Sequence, residues 1–168
     1  MGSVPARPYF RRAALVADGF VGWVAFPRVL SDDEVPRVAG VYVVARSASG
    51  PPVFLANSPA GRFKGEDPTV GKDALTANWV PGASIVYIGK ADELRRRLRQ
   101  FADFGAGKPV GHWGGRLIWQ LSDSETLLVA WKRTPGQVPR EVEAGLISQF
   151  RAEHGKAPFA NEPHRLGA

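Results

Sequence analysis

Two apolar, β-branched runs constrain the fold of this chain more than any other feature. One extends from Gly40 to Arg46 and the other from Ser84 to Lys90. Runs of this length and composition are typical of strands inside a sheet. Each contains a tyrosine close to a glycine, in Gly-Val-Tyr at 40–42 and Tyr-Ile-Gly at 87–89. The sequence therefore predicts two strands of a small central sheet, each carrying one tyrosine.

Four further segments are predicted to add strands. Phe20–Phe26 alternates well enough for a strand and is closed by Pro27, while Val53–Ala56 is long enough for a short return strand. Arg116–Leu121 and Thr126–Lys132 are separated by a polar turn, which predicts a hairpin.

Two helices are predicted between and after these strands. The first extends from Asp92, a good N-cap, to Phe104, and the glycines of 105–107 end it. The second extends from Pro139 to His154, with Gly155 as its C-terminal cap. The predicted fold class is α/β of the α+β type, a small central antiparallel β-sheet flanked by helices.

The 168 residues suffice for one domain, with an N-terminal extension at 1–38 and an inserted loop at 57–84. Long loops in compact domains are usually functional. No apolar run is long enough to cross a membrane, and the N-terminus does not resemble a signal peptide, so a cytoplasmic protein is expected. The sequence has no cysteine, which excludes disulfides, thiolate metal sites and cysteine nucleophiles.

The first helix carries an arginine run. The net charge of the whole chain is +6, which gives it either solubility or an affinity for polyanions such as nucleic acid. Arg95, Arg96 and Arg99 point away from the apolar seam of Leu94, Leu98 and Phe101, and should form a solvated face. Arg97 borders that seam, where its guanidinium could reach a bound phosphate.

Glu143 falls among the apolar positions of the second helix, whose other members are Val142, Leu146, Ile147 and Phe150. Burying a carboxylate costs several kcal/mol unless a charge or a hydrogen bond meets it. Two explanations are open at this stage. Glu143 either forms a salt bridge with Arg97 or binds a hard divalent cation through its oxygens.

His112 lies in the compact segment Gly-His-Trp-Gly-Gly-Arg at 111–116. Closely spaced glycines imply positive φ angles or a close approach of the backbone. The histidine is either a proton carrier or a turn residue that hydrogen-bonds its own backbone.

The order of these elements resembles the GIY-YIG endonuclease superfamily. The matching features are Gly-Val-Tyr, then Tyr-Ile-Gly with Lys90, the Leu-Arg-Arg-Arg-Leu helix at 94–98, Glu-Ala-Gly-Leu-Ile at 143–147 and a late Asn161. The resemblance covers about Gly40 to Asn161. It implies a small endonuclease that depends on Mg²⁺ or Mn²⁺ and hydrolyses phosphodiester bonds in nucleic acid, with DNA as the expected substrate. The short apolar runs, by themselves, predict no membrane partner.

The resemblance also implies a role for each matching position. Tyr42 and Tyr87 would line the site, with Tyr42 helping to deprotonate the attacking water. Arg97 would stabilise the pentacovalent phosphate, and Glu143 would hold the single metal ion. Asn161 would support the site and Lys90 would act near the phosphate.

Nucleic-acid contacts are expected from the glycine of the second tripeptide and from exposed basic residues. These are Lys64, Gly89, Arg95, Arg96, Arg99 and Arg116.

Two features depart from the family pattern. One turn after the arginine the family commonly has a histidine or tyrosine, and here Phe101 stands in that place, so the proton must pass to Tyr42, to His112 or to no residue. Tyr42 and Tyr87 also lie 45 positions apart, so that the 57–84 segment must pack beside the sheet or overhang the site. The alternative function is a catalytically silent domain of the same fold that binds nucleic acid or a protein.

Overall fold

The structure, a computed structural model, describes residues 8–31 and 33–161. Residues 1–7 and Asp32, which belong to the predicted N-terminal extension, lie outside the described residues, as do residues 162–168. The α-helices are α1 (Arg12–Ala17), α2 (Phe26–Ser31), α3 (Lys72–Asn78), α4 (Leu94–Gly105) and α5 (Pro139–His154), and the strands are β1 (Val21–Ala25), β2 (Gly40–Ala45), β3 (Ile85–Ala91) and β4 (Leu128–Arg133). None of these helices is long and apolar enough to span a membrane.

The four strands form one antiparallel sheet in the order β1-β4-β2-β3. Helices flank this sheet, so the predicted fold class is confirmed. β2 is an inner strand that pairs with both β3 and β4, and Tyr42 stands opposite Gly89 on one side and Trp131 on the other. β3 lies at one edge of the sheet. The tyrosine of the first tripeptide therefore stands beside the glycine of the second.

The sheet separates two apolar clusters, because alternate residues of a strand point to opposite faces. The α4 face includes Tyr42, Val44, Tyr87, Leu94, Leu98 and Phe101. The α5 face includes Val41, Val43, Ile88, Leu146, Ile147 and Phe150. The helix that carries Arg97 and the helix that carries Glu143 thus lie on opposite faces of one sheet.

The predicted hairpin of Arg116–Leu121 and Thr126–Lys132 is wrong. A 3₁₀ segment, Trp113–Gln120, occupies most of the first part, and only Leu128–Arg133 is a strand, paired with β1 and β2. Consecutive residues from Leu117 to Leu121 are all buried, which a strand with one solvent face does not allow.

Two smaller expectations also differ from the structure. Asp92 is not an N-cap: α4 begins at Leu94 without a side-chain cap. Its first amides donate to the preceding segment instead, Leu94 N to Val38 O at 2.9 Å and Arg95 N to Pro36 O at 3.2 Å. The predicted strand Val53–Ala56 contributes only an isolated bridge between Phe54 and Leu121.

The inserted segment 57–84 packs beside the sheet. It contains α3. The buried side chain of Gln120 binds the backbone at two places, just before the segment begins and just before α3 begins. The Gln120 amide donates to Leu55 O at 3.1 Å and to Val70 O at 2.9 Å, and its oxygen accepts from Val70 N at 2.7 Å. Gly61 N donates to Phe104 O at the end of α4. The insertion is therefore an ordered part of the fold.

Candidate active site

A cavity of about 320 Å³ opens at the C-terminal end of β3. It is lined by five of the residues that the sequence singled out for catalysis: Tyr42, Tyr87, Lys90, Arg97 and Glu143. The remaining lining residues are Ala91, Asp92, Glu93, Arg96 and Gln100. The structure thus brings together residues from four separate elements, β2, β3, α4 and α5.

The position of the cavity follows from β3 being an edge strand. Tyr87 points to the α4 face, and Lys90, an odd number of residues later, points to the α5 face. Beyond the edge of the strand, side chains from the two faces can meet. Arg97 and Glu143 therefore reach the same space although their helices lie on opposite faces of the sheet.

Gly89 is explained by the ring of Tyr42. A Cβ at position 89 would lie 2.3 Å from Tyr42 Cζ and 2.5 Å from its hydroxyl oxygen. Such a contact is far shorter than packed atoms allow. The missing side chain of Gly89 therefore makes room for Tyr42, and its expected role in letting substrate approach the backbone stays a prediction.

Both tyrosines are buried and keep their protons at neutral pH. Burial raises the pKa of Tyr42 well above its ordinary value of 10.0, and the neighbouring Tyr87 raises it further. Burial, with a contribution from Glu143, raises the pKa of Tyr87 to about 12. Arg97 lowers both pKa values by a smaller amount. At neutral pH Tyr42 can thus act on water by hydrogen bonding, and a phenolate base is not available.

Arg97 is half-buried and anchored at one end. Its Nη1 donates to Gly111 O at 3.0 Å and lies 3.5 Å from Gln100 Oε1. Phe63, from the inserted segment, packs against Gly111. The guanidinium therefore has a fixed direction, and its remaining N–H groups are available to a phosphate in the cavity.

Glu143 is half-buried on α5, although its helical position among the apolar residues predicts a buried side chain. Burial raises the pKa of its carboxyl group, and the positive charges of Lys90, Arg140 and Arg97 counteract this in part. Among the described residues these cations act through space and none forms a salt bridge with Glu143. The predicted salt bridge to Arg97 is therefore absent from the described residues, and the carboxylate faces the cavity.

His112 is buried completely and contacts the site from behind. Its Nε2 lies 2.8 Å from the hydroxyl oxygen of Tyr42. Its ring stacks on Phe101, with ring centroids 3.6 Å apart and an angle of 3° between the planes. Burial lowers the pKa of His112 well below 6.5, and the charge of Arg97 lowers it further. Neither alternative is excluded, since the ring also interacts with the backbone of His112 itself.

Asn161 supports the site by pairing with the free edge of β3. Its Oδ1 accepts from Ile88 N at 2.9 Å and its Nδ2 donates to Ile88 O at 2.8 Å. Ile88 lies between Tyr87 and Gly89, so that the amide acts as a substitute for a neighbouring strand. Ala160 N extends the pairing to Val86 O.

The arginines of α4 do not form one solvated face, which corrects the expectation for Arg95 and Arg99. Arg95 donates to the backbone carbonyls of Val35 and Asp33, at 2.8 Å each. Arg99 Nη2 lies 3.3 Å from the Asp33 carboxylate. These two side chains tie α4 to the segment before β2. Arg96 is exposed and lines the cavity instead.

Two further basic residues lie outside the cavity lining. Lys64 is exposed on a turn of the inserted segment, with a φ of 53°, and its Nζ lies 5.3 Å from the centre of the Phe63 ring. Arg116 places its guanidinium 4.8 Å from the centre of the Trp113 ring. Their expected contacts with nucleic acid remain predictions.

Sequence reasoning missed two contributors to the site. Gln100 follows Arg97 by three positions on α4, a spacing that places two side chains on the same helical surface. That signal was available. The carbonyl of Gly111 that holds Arg97 has no signature in the sequence, because any residue type has a carbonyl oxygen.

Comparisons of the chain with protein-family models, with curated proteins and with solved structures found no match. The chemistry of the cavity therefore has to be judged from its own residues.

Proposed function

We propose that this chain is a divalent-metal-dependent endonuclease of the GIY-YIG type, which hydrolyses phosphodiester bonds in cytoplasmic nucleic acid, with DNA as the expected substrate. The observation that carries the proposal is the convergence of Tyr42, Tyr87, Arg97 and Glu143 on one cavity. A purely structural domain has no need of a half-buried carboxylate beside a fixed guanidinium and two tyrosine hydroxyls.

The chemistry of these groups suits an attack of water on a phosphodiester. The guanidinium of Arg97 neutralises charge that develops on the phosphate oxygens, and its anchor at Gly111 keeps it in place before the reaction begins. The ammonium group of Lys90 adds positive charge at the same cavity. The hydroxyls of Tyr42 and Tyr87 orient the water by hydrogen bonds.

Glu143 is the residue that would hold Mg²⁺ or Mn²⁺. Its carboxylate is partly desolvated, faces the cavity and has no salt bridge to a described residue, which are properties of an oxygen ligand for a hard cation. No group of three or more His, Asp or Glu side chains among the described residues could hold a metal. Mg²⁺ is often bound through one or two carboxylates and keeps several water ligands. When bound, such an ion would polarise the phosphate.

The path of the nucleic-acid strand is indicated by a second groove that adjoins the cavity. The groove and the cavity share Glu93, Arg96 and Gln100, and Arg37 lines the groove but not the cavity. Arg37 and Arg96 are exposed, whereas Arg95 and Arg99 are held by Asp33. We therefore expect Arg37 and Arg96 to bind the phosphates next to the one that is cleaved.

A plasmid-nicking assay tests the proposal. Supercoiled DNA is incubated with the full chain and Mg²⁺ or Mn²⁺, and EDTA is added to a parallel reaction. We expect cleavage with either metal and none with EDTA. Glu143→Gln should abolish cleavage while the circular dichroism spectrum stays unchanged. Glu141→Gln is the matched control, because Glu141 lies on the same helix but is exposed and outside the cavity.

The outcomes separate the two functions under consideration. Cleavage that survives EDTA, or equal loss in both glutamate variants, contradicts a metal-binding role of Glu143. A wild-type chain that binds DNA but cleaves none under any metal or pH supports the catalytically silent domain, for which the proton-inert Phe101 is the main argument.

A further inference from the structure

The proposed chemistry leaves one buried polar group unused. His112 lines no wall of the cavity, yet its Nε2 lies within hydrogen-bond distance of the Tyr42 hydroxyl, which also interacts with the hydroxyl of Tyr87. Polar groups buried this completely are normally retained for a hydrogen bond that matters to structure or function. The contact joins two segments that are 70 positions apart in the chain.

The contacts of His112 bear on which of its nitrogens carries the proton. Nδ1 is buried and has no hydrogen-bond partner among the described residues, and the ring interacts with the backbone of His112 itself. In the 2.8 Å contact between Nε2 and the Tyr42 hydroxyl oxygen, either group can donate. With the hydrogen on Nδ1, Nε2 accepts and the Tyr42 hydroxyl donates.

Neighbouring residues and burial keep the imidazole neutral and fixed in orientation. Phe101 of α4 stacks on one side of the ring. Arg97, also on α4, disfavours a positive charge on the imidazole, and burial acts in the same direction. Tyr42 of β2 and Tyr87 of β3 are the other titratable groups that face it, and both are uncharged at neutral pH.

We infer that His112 is a positioning residue that holds the hydrogen of the Tyr42 hydroxyl away from the cavity, so that Tyr42 presents a lone pair to the attacking water. A hydroxyl that donates to His112 can still accept a hydrogen bond from water. A freely rotating hydroxyl could instead donate to the water and reduce its nucleophilic character. The catalytic consequence rests on the proposed nuclease function, whereas the hydrogen bond and the tautomer do not.

Protonation of His112 would reverse this arrangement. Nε2 would then carry a hydrogen and donate to the Tyr42 oxygen, and the Tyr42 hydrogen would turn toward the cavity. Burial and the nearby Arg97 preserve the neutral acceptor, and the stacking on Phe101 fixes the plane of the ring.

The first experiment examines the tautomer without reference to activity. Long-range ¹H–¹⁵N correlation spectra are recorded on the uniformly labelled full chain between pH 7.5 and 5.5, and the His112 signals are assigned by their loss in His112→Gln. We expect a neutral ring protonated on Nδ1 that does not titrate in this range. A ring protonated on Nε2, or a titration midpoint near pH 6.5, would overturn the inference.

The second experiment separates positioning from proton transfer by nicking kinetics. His112→Leu removes the acceptor and should lower kcat about 10- to 100-fold, the range found when a residue that orients a functional ligand is lost. His112→Gln supplies an amide oxygen that accepts a hydrogen bond but cannot be protonated at these pH values, and should restore most of the rate. Tyr42→Phe combined with His112→Leu should be no slower than Tyr42→Phe alone.

Two results would contradict the positioning role. If His112→Gln is as slow as His112→Leu at equal thermal stability, the imidazole takes up a proton itself. If the Tyr42 and His112 substitutions have independent effects, His112 does not act through Tyr42. Should His112→Leu fail to fold, the glutamine variant and the spectra still decide. A wild-type chain without activity would refute the proposed function and leave the spectroscopic test of the hydrogen bond intact.

Discussion

The two walls of the cavity differ in how much water reaches them. The buried wall consists of Tyr42 and Tyr87, with His112 behind them, and all three side chains are almost completely inaccessible. The polar wall consists of Lys90, Arg96 and Glu143, which are exposed or half-buried. The buried wall carries no charge at neutral pH, while every member of the polar wall is ionisable.

This difference implies a division of tasks. In the buried wall, positions are fixed by packing, because a well-packed interior tolerates little change of volume. In the polar wall, the side chains remain in contact with solvent, so that a charged group there costs less free energy than a buried one. Substitutions in the buried wall should therefore alter geometry and stability together, whereas those in the polar wall should alter binding and chemistry with little effect on folding.

Arg97 lies between the two walls, and its loss should produce the largest effect on rate. Arg97→Ala is expected to lower kcat by about two to three orders of magnitude, as is typical when a group that stabilises transition-state charge is removed. Arg151→Ala is the control, because Arg151 is exposed on α5 and outside the cavity. Single-turnover nicking of plasmid DNA measures the rates. Equal losses for Arg97→Ala and Arg95→Ala would show that the fixed guanidinium has no special role.

The rigidity of the buried wall can be challenged at Gly89. Gly89→Ala places a methyl group against the Tyr42 ring and should lower the free energy of unfolding by about 1–3 kcal/mol, the usual cost of overpacking. Gly145→Ala on α5 meets open space and should raise it by about 0.5–1 kcal/mol. Urea denaturation measures both. If Gly89→Ala is tolerated without loss, the Tyr42 ring can move and the wall is not rigid.

The regular parts of this fold could be predicted from the sequence. β2 and β3 lie in continuous apolar, β-branched runs, and α4 and α5 repeat their apolar residues at helical spacing. The wheel of α5 placed Glu143 among the apolar positions, and the structure shows it half-buried. The helical faces could be predicted because periodicity defines the direction of a side chain.

The contacts between distant segments could not be predicted in this way. The wheel of α4 gives Arg95 and Arg99 an outward direction, but it does not reveal that Asp33 meets them there. In the segment Trp113–Gln120, apolar and polar residues alternate poorly, and its conformation depends on the residues that it packs against. The predicted hairpin was therefore wrong. The pairing of His112 with Tyr42 likewise depends on tertiary structure alone.

The neutral state of the buried wall should be visible in the pH dependence of stability. The pKa of His112 lies well below 6.5 in the folded chain, because burial and Arg97 disfavour the charged ring. In the unfolded chain its pKa returns to about 6.5. The unfolded state therefore binds one more proton below pH 6.5, and the free energy of unfolding should fall by up to about 1.4 kcal/mol per pH unit as the solution is acidified.

The corresponding measurement compares wild type with His112→Gln by denaturation at pH 7.5, 6.5 and 5.5. The variant lacks this group and should lose less stability over the same range. Parallel losses in the two proteins would mean that the imidazole is protonated as easily in the folded chain as in the unfolded one. In that case His112 would belong with the polar wall.

The smallest expected effect lies on the polar wall, at Arg96. Its exposed side chain contributes one phosphate contact in the proposed path, so that Arg96→Ala should reduce the salt slope of DNA binding by about 0.9. When salt is raised from 50 to 200 mM, the affinity of Arg96→Ala for DNA should therefore fall by a factor about three times smaller than that of the wild type. Arg95→Ala is the comparison, because its guanidinium is engaged with Val35 and Asp33 and its loss should lower stability while leaving the slope unchanged. Fluorescence anisotropy with a labelled duplex at several salt concentrations gives both slopes. Equal slopes for the two variants would show that the nucleic-acid strand does not follow the groove. The polar wall would then contact only the phosphate that is cleaved.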